Sequence, residues 1–296
     1  MTGRIVEVST PGSHLRVQDR QLVITCSDEI KGRLPVEDLG AVIIDNPQVT
    51  LTQACLATLV EYNVMVVTCD ARHQPCGMFL PLQSHVTQTE RFSNQAALSQ
   101  PTRKRLWQQL IRAKIALQAH ALKSVTGNDA GLSAMCKKVR SGDLDNIEAQ
   151  AARRYWSRMF PEDGFRRDQN ANDQNRYLNY GYAVVRALTA RALCASGLHP
   201  SLGLHHHNRY NAYCLADDLM EPYRPFVDIH VYEIAKEFGP LADMDRAIRE
   251  KLLGILSWEV NLEKESFNLQ TAIQRSAQSL ARVVDGEGNS LVLPSV

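Results

Sequence analysis

Short apolar or alternating runs at Arg4–Val8, Gln21–Cys26, 41–44 and 64–69, separated by Gly, Pro, Asp and Asn, have the length and punctuation of β-strands. Between the last two, 51–62 (LTQACLATLVEY) carries apolar residues at helical spacing, which predicts one helix crossing a small sheet or sandwich. From about Arg91 onward the texture changes to long Ala-, Leu-, Gln- and Arg-rich segments with few breakers. These predict helices over 102–124, 130–139, 145–159, 174–196, 226–237, 244–262 and 269–284. Pro75, Gly77 and Pro81 break the segment 74–88. The expected architecture is α+β: a small β-rich N-terminal domain over 1–78, a linker over 79–90 and a larger all-α domain over 91–296.

Composition narrows the class. With 296 residues the chain buries a core without staples, and its seven cysteines include no C-x-x-C pair, so neither a disulfide framework nor a zinc ribbon is indicated. The start, MTGRIVEVST, lacks the basic and apolar regions of a secretory signal, and no eighteen apolar residues run together. A cytoplasmic protein with no membrane partner is expected. A formal net charge of +1 argues against a protein that coats nucleic acid over its whole surface, but leaves room for a local basic face.

Four segments can carry chemistry. The first, LGLHHHNRYNAYCLADDLMEPYRPFVD over 202–228, concentrates metal-capable side chains, with Asp218 and Glu221 three apart. Read alone, its acids also suit a helix start, with Glu221 in solvent. In the second, DNIEAQAARRYW over 145–156, Asp145 or Asn146 is placed to cap a helix, and Glu148 is the acid expected in a first turn. Arg153 and Arg154 are either solvated charges or phosphate grips, and Tyr155 and Trp156 read as packing aromatics. The third, 101–127, carries Arg103, Lys104, Arg105, Arg112, Lys114 and Lys123 and no acid: a solvated helix face or a phosphate track. Lys137, Lys138, Arg140, Arg158, Arg166 and Arg167 follow in a mixed-charge region. The fourth, NRYLNYGY from Asn175 to Tyr182, either orders a polar site or packs against the β-rich domain.

In that order, E-x-x-A-A-R-x-Y-W from Glu148, N-x-x-L-N-Y-G-Y from Asn175, G-L-x-H from Gly203 and D-L-M-E-P-Y-R-P from Asp218 resemble the CRISPR-associated adaptation integrase. That family is the universal endonuclease-integrase subunit of spacer acquisition, and the stretch from Gly203 through L-A-D-D-L-M-E-P-Y-R-P resembles its members from type II systems. The resemblance spans nearly the whole chain. It implies that Glu148, His206 and Glu221 are the metal-binding and catalytic residues, with Asp218 and Asn175 in support. The triple histidine departs from the pattern, and a slip of one residue would put His205 in the ligand's place.

Two carboxylates and one imidazole suit magnesium or manganese, and no thiolate pair accompanies them to favour zinc. The implied reaction is attack by the 3′-hydroxyl of a foreign DNA fragment on the repeat boundary of a CRISPR array, with nuclease activity when water attacks instead. Arg103, Lys104, Arg105, Arg112, Lys137, Lys138, Arg153, Arg154, Arg166, Arg167 and Arg224 are the expected DNA contacts. The implied assembly pairs homodimers through a smaller adaptation subunit, as a heterohexamer, with a type II effector nuclease as a further partner. Two rival readings are a zinc-dependent phosphoester hydrolase and a non-enzymatic DNA-binding scaffold.

Overall fold

A computed structural model describes residues 4–160 and 164–296; the first three residues of the expected β-rich domain lie outside it. Strands β1 (Arg4–Val8), β2 (Ser13–Gln18), β3 (Gln21–Cys26), β4 (Glu29–Pro35), β5 (Leu39–Ile44) and β6 (Thr50–Leu51) precede helix α1 (Gln53–Glu61), β7 (Met65–Cys69) and β8 (Pro75–Phe79). They form two four-stranded sheets. The order β1-β5-β7-β8 is parallel except at its last strand, and in β4-β3-β2-β6 two antiparallel hairpins are joined by β6 running parallel to β2.

The first sheet is buried on both faces. Leu39, Val42 and Val66 face a core shared with Leu15, Leu22 and Leu59, while Ala41, Ile43, Met65 and Val67 join the core of the helical region. That double burial is why 41–44 reads as an unbroken apolar run. Strands β2 and β4, absent from the expectation, carry few consecutive apolar residues because β4 is mostly exposed and β2 alternates. Their hairpins turn at Asp19-Arg20 and Ser27-Asp28, all four at positive φ with no glycine to announce them. Pro75 and Gly77, read as breakers, stand in β8, an edge strand where a missing N–H is tolerated.

Helices α2 (Gln88–Ala97), α3 (Gln100–Thr126), α4 (Leu132–Cys136), α5 (Ile147–Met159), α6 (Asn175–Ala195), α7 (Cys214–Met220), α8 (Arg224–Phe238), α9 (Arg246–Leu253) and α10 (Leu269–Val284) build the rest. The β-rich region followed by a mainly helical one is the expected class. No helix among the described residues is long and apolar enough to cross a membrane. The longest helix, α3, starts where Ser99 accepts from the Thr102 amide and stops at Gly127, whose φ of 78° is left-handed.

The single helix expected over 244–262 is corrected. Helix α9 ends at Leu253, and 259–262 forms strand β9, paired with β10 (Glu265–Asn268). Val260 and Leu262 are buried while Glu259 and Asn261 are exposed, a two-residue period that overrides helical propensity. Glu263 and Lys264, both at positive φ, make the turn.

Arg249 of α9 ties the helical region to the first sheet, with its Nε 3.0 Å from Glu7 and 2.8 Å from Asp45. Gly181 of α6 lets α8 approach, since a Cβ there would stand 2.5 Å from Val227 Cγ1. This explains the glycine of NYGY as a crossing point. Below it, Tyr155 of α5 donates to Asp228 Oδ2 at 2.8 Å, and Tyr182 of α6 donates to Oδ1, so one carboxyl on α8 binds three helices together.

Burial pushes the Asp228 carboxyl up to about 6, against the two tyrosine hydrogen bonds and the nearby arginines, which favour its ionised form. The folded protein therefore holds this proton more tightly than the unfolded chain. The resulting stabilisation is complete below the unfolded carboxyl value and is lost as pH rises through about 6. In Asp228→Asn no ionisation occurs, so its unfolding free energy relative to wild type is expected to improve by up to about 3 kcal/mol between about pH 4 and pH 7. Urea unfolding of both proteins across that range checks this; a constant difference would contradict it.

Candidate active site

Glu148 sits in the first turn of α5, Glu221 follows directly on α7, and Lys114 projects between them from the middle of α3. Its Nζ lies 2.6 Å from Glu148 Oε1 and 2.6 Å from Glu221 Oε2. The first contact is a hydrogen bond. The second is an equally close ion pair to a carboxylate of a buried residue. Arg224, one helical turn beyond Glu221, donates from Nε to Oε1 at 2.9 Å. Burial alone would raise the Glu221 pKa, but the charges of Arg224 and then Lys114 outweigh it and hold the carboxyl at about 2. Burial likewise opposes the Lys114 charge, and Glu221 and Glu148 more than restore it, raising its pKa above the ordinary ammonium value.

Of the readings left open, the solvated Glu221 is excluded, since the residue is buried, and Lys114 stands in an internal ion cluster and not on the candidate surface track. The cap of α5 also differs: Asp143 accepts from the amides of Ile147 at 2.9 Å and Glu148 at 3.0 Å. Asp145 is occupied by Arg140, and Asn146 turns the chain at a φ of 51°.

His206 lies in the loop before α7. Its Nδ1 is 2.5 Å from Asp218 Oδ1, and the fully buried Asp218 carboxylate also accepts from the amides of Leu204 at 2.6 Å, His205 at 2.9 Å and His206 at 3.3 Å. One carboxylate thus fixes both the loop and the ring. Because a carboxylate accepts, the hydrogen belongs on Nδ1, which leaves Nε2 as the lone-pair nitrogen of the neutral ring. The Asp218 hydrogen bond also raises the His206 pKa. Gly203 makes the loop possible: a Cβ on it would lie 2.3 Å from the His206 carbonyl oxygen and 3.1 Å from Asp218 Oδ2.

His205 is held otherwise. Its ring stacks on the buried indole of Trp107 from α3, with centroids 4.2 Å apart and planes inclined by 3°, and burial lowers its pKa. Trp107 also meets the His206 ring edge-on at 5.6 Å. Sequence reasoning missed Trp107, Lys114 as an internal group and Asp217, which pairs with Arg186 at 2.6 Å and accepts from Asn211 at 2.6 Å to anchor the same loop. Apart from their types, nothing local marked them.

Asn175 orders the segment before α6, donating to the Arg166 carbonyl and accepting from Arg167 Nη1 at 2.8 Å and the Asp168 amide. Arg167 also reaches Asn179, and its guanidinium faces the Tyr182 ring, as does that of Arg224. Other expected DNA contacts carry structural bonds: Arg103 to the carbonyls of Leu98 and Ala96, Arg112 to that of Val139. Lys104, Arg105, Lys137, Lys138, Arg153, Arg154 and Arg166 are exposed.

Two carboxylates closing on one cation form a hard-oxygen donor set that already accommodates a positive charge between them. His206 would add a nitrogen. The types suit magnesium or manganese. As placed, however, the Lys114 ammonium holds the position between the carboxylates, and among the described residues no three His, Cys, Asp or Glu side chains are grouped to hold a metal.

Comparison with known proteins adds the lineage. Residues 6–238 match the family described as CRISPR associated protein Cas1. The chain is 37% identical over 289 residues to the CRISPR-associated endonuclease Cas1 of Neisseria meningitidis serogroup C (strain 8013), covering 96% of this chain and 94% of that protein. Among solved structures, a casposase bound to integration product superposes with a TM-score of 0.79 at 20% identity, over 98% of this chain and 92% of that one. A Cas6-RT-Cas1–Cas2 complex superposes at 0.75 and 19% identity, over 98% of this chain and 36% of the longer chain. At those identities the structural matches establish the fold.

The Gly203 contact yields a direct test. Gly203→Ala must move the His206 carbonyl or the Asp218 carboxylate, and is expected to cost about 1–3 kcal/mol of unfolding free energy. A urea midpoint unchanged from wild type would show that the loop has room the structure denies it.

Proposed function

The chain belongs to the CRISPR associated Cas1 family, and from that premise we propose that it is the metal-dependent DNA integrase of CRISPR adaptation, with an associated endonuclease activity. The observation that carries the reading is the convergence of Glu148 and Glu221 on a single cation position beside an imidazole whose Nδ1 is tied to Asp218. Glu148, His206 and Glu221 would hold Mg2+ or Mn2+. Such an ion, when bound, neutralises charge developing on the attacked phosphate and on the leaving oxygen.

In this proposal the reaction is a transesterification. The 3′-hydroxyl of a foreign DNA fragment forms a bond to phosphorus at the repeat boundary as the original P–O bond breaks. The number of phosphodiesters is conserved, and no nucleotide energy source is required. Consistent with that, the chain has no G-x-x-x-x-G-K-[ST] loop. The chain's own contributions are positional. Asp218 fixes the imidazole, Arg224 restrains one Glu221 oxygen, and the exposed Lys104, Arg105, Lys137, Lys138, Arg153, Arg154 and Arg166 supply charge for DNA phosphates.

Joining both ends of a fragment requires two active sites, so the proposed assembly is a pair of homodimers bridged by the smaller adaptation subunit. A complex containing Cas1 and Cas2 among the structural matches supports that partner, and the casposase with its integration product supports strand joining. The type II effector nuclease is proposed as an accessory.

The test supplies the protein and its partner subunit with fragment DNA, a repeat substrate and Mn2+ or Mg2+. Glu148→Gln, His206→Ala and Glu221→Gln are each expected to lower joining by at least about 100-fold while DNA binding persists. Variants that join normally would sink the assignment. Stoichiometric, chelator-resistant zinc in the purified protein would favour the phosphoester hydrolase, and a wild type inert with every metal would favour the scaffold.

A further inference from the structure

We propose that Lys114 is an internal placeholder cation: its ammonium occupies the divalent-ion position between Glu148 and Glu221 in the metal-free protein and must be displaced for the ion to bind. This rests on the reading of Glu148, His206 and Glu221 as metal ligands. Three observations lead to it.

The first is where Lys114 stands in α3. Trp107, Leu110, Ile111, Ile115 and Gln118 form the helix's buried stripe at three- and four-residue spacing, and Lys114 falls within that stripe, not on the outer face with Lys104 and Lys123. A lysine at a core position loses its hydration, and the acid pair it reaches compensates for that loss.

The second is which oxygens it takes. Nζ is 2.6 Å from Glu148 Oε1 and 2.6 Å from Glu221 Oε2, whereas Arg224 holds the other Glu221 oxygen. An ion bridging the two glutamates would need the lone pairs that Lys114 now faces. The two contacts are equally short, so the ammonium is shared between the carboxylates.

The third is charge. Glu148 and Glu221 carry two negative charges, and Lys114 and Arg224 two positive ones, so the cluster is balanced without metal. Adding a divalent ion while the ammonium stays would leave a double positive excess in a largely buried site. Withdrawing the ammonium halves that excess. Arg224 cannot serve as the exchanging group, because its guanidinium is also packed over the Tyr182 ring at 4.6 Å. Lys114 is the flexible member. The consequence is that two like charges stay assembled in a folded, metal-free protein, and that ion affinity is set by an exchange rather than by filling a void.

The experiment is a Mn2+ titration by calorimetry, with melting measured with and without Mn2+, on the full chain as wild type, Lys114→Met and Lys114→Gln. Without metal both variants are expected to melt below wild type, because a glutamate charge loses its partner. Saturating Mn2+ should close that gap, and Mn2+ should bind the variants at least about ten-fold more tightly. Equal or weaker Mn2+ binding by the variants, or a melting deficit that persists at saturation, would overturn the proposal. Should neither variant fold, the Nζ resonance of Lys114 in 15N-lysine-labelled wild type decides the matter under Mg2+ titration. A shift saturating with the ion supports displacement; an unmoved resonance while Mg2+ binds overturns it. Absence of binding to any of the proteins would overturn the metal reading itself, an outcome distinct from binding that ignores Lys114.

Discussion

Two glutamate side chains cannot lie together in a largely desolvated site without positive charge between them, and several elements of the helical region meet at that requirement. Lys114 reaches both carboxylates and Arg224 holds one of them from the side. Breaking such a pair by removing one partner typically costs about 3–5 kcal/mol, because an uncompensated charge stays behind. The cluster therefore constrains α3, α5 and the α7–α8 junction to one relative placement. The clamp of Tyr155 and Tyr182 on Asp228 ties α5 and α8 to α6 as well. The site and the packing of the helices that carry it are a single construction.

The motif letters acquire distinct physical meanings within it. In G-L-x-H, the glycine is needed because the His206 carbonyl passes where a Cβ would be. In D-L-M-E, the first acid faces the loop and the last faces the ion cluster: Asp218 is spent on three amides and an imidazole, which leaves Glu221 for the lysine. A carboxylate with that many donors is a fixture rather than a ligand in waiting. The two neighbouring histidines are held differently in the same geometry. His206 has one nitrogen fixed by a carboxylate, an arrangement suited to a metal ligand, while His205 lies flat against Trp107.

Much of the fold was legible from periodicity. The long helices α3, α6 and α10 follow their expected spans closely because their apolar spacing is regular, and α3 is further bounded by Ser99 and Gly127. What escaped was structure with little hydrophobic signature. β4 is largely exposed, the hairpins turn on non-glycine residues at positive φ, and β9 hides a two-residue alternation behind a helix-like composition. At the site, residue type alone left Glu148 indistinguishable from an ordinary first-turn acid, and its motif context singled it out. Lys114 was misplaced for a related reason. In a run of six basic residues without an acid, only the register of the buried stripe separates the one that turns inward, and charge composition ignores register.

The same sorting applies to the other basic residues, and it bears on how a nearly neutral chain could hold a polyanion. Arg103 and Arg112 are bound to backbone carbonyls, Arg167 to two asparagines, Arg224 to Glu221 and Arg249 to the two carboxylates that join the halves of the molecule. These side chains are engaged within the structure, and Arg224 and Arg249 also have their charge offset by carboxylates. The exposed Lys104, Arg105, Lys137, Lys138, Arg153, Arg154 and Arg166 belong to α3, the segment after α4, α5 and the segment before α6. Helices α3 and α5 also carry Lys114 and Glu148. A helix that offers charge outward and a charged group inward moves both when it is displaced. Net charge, which sums over all these roles, conceals that arrangement.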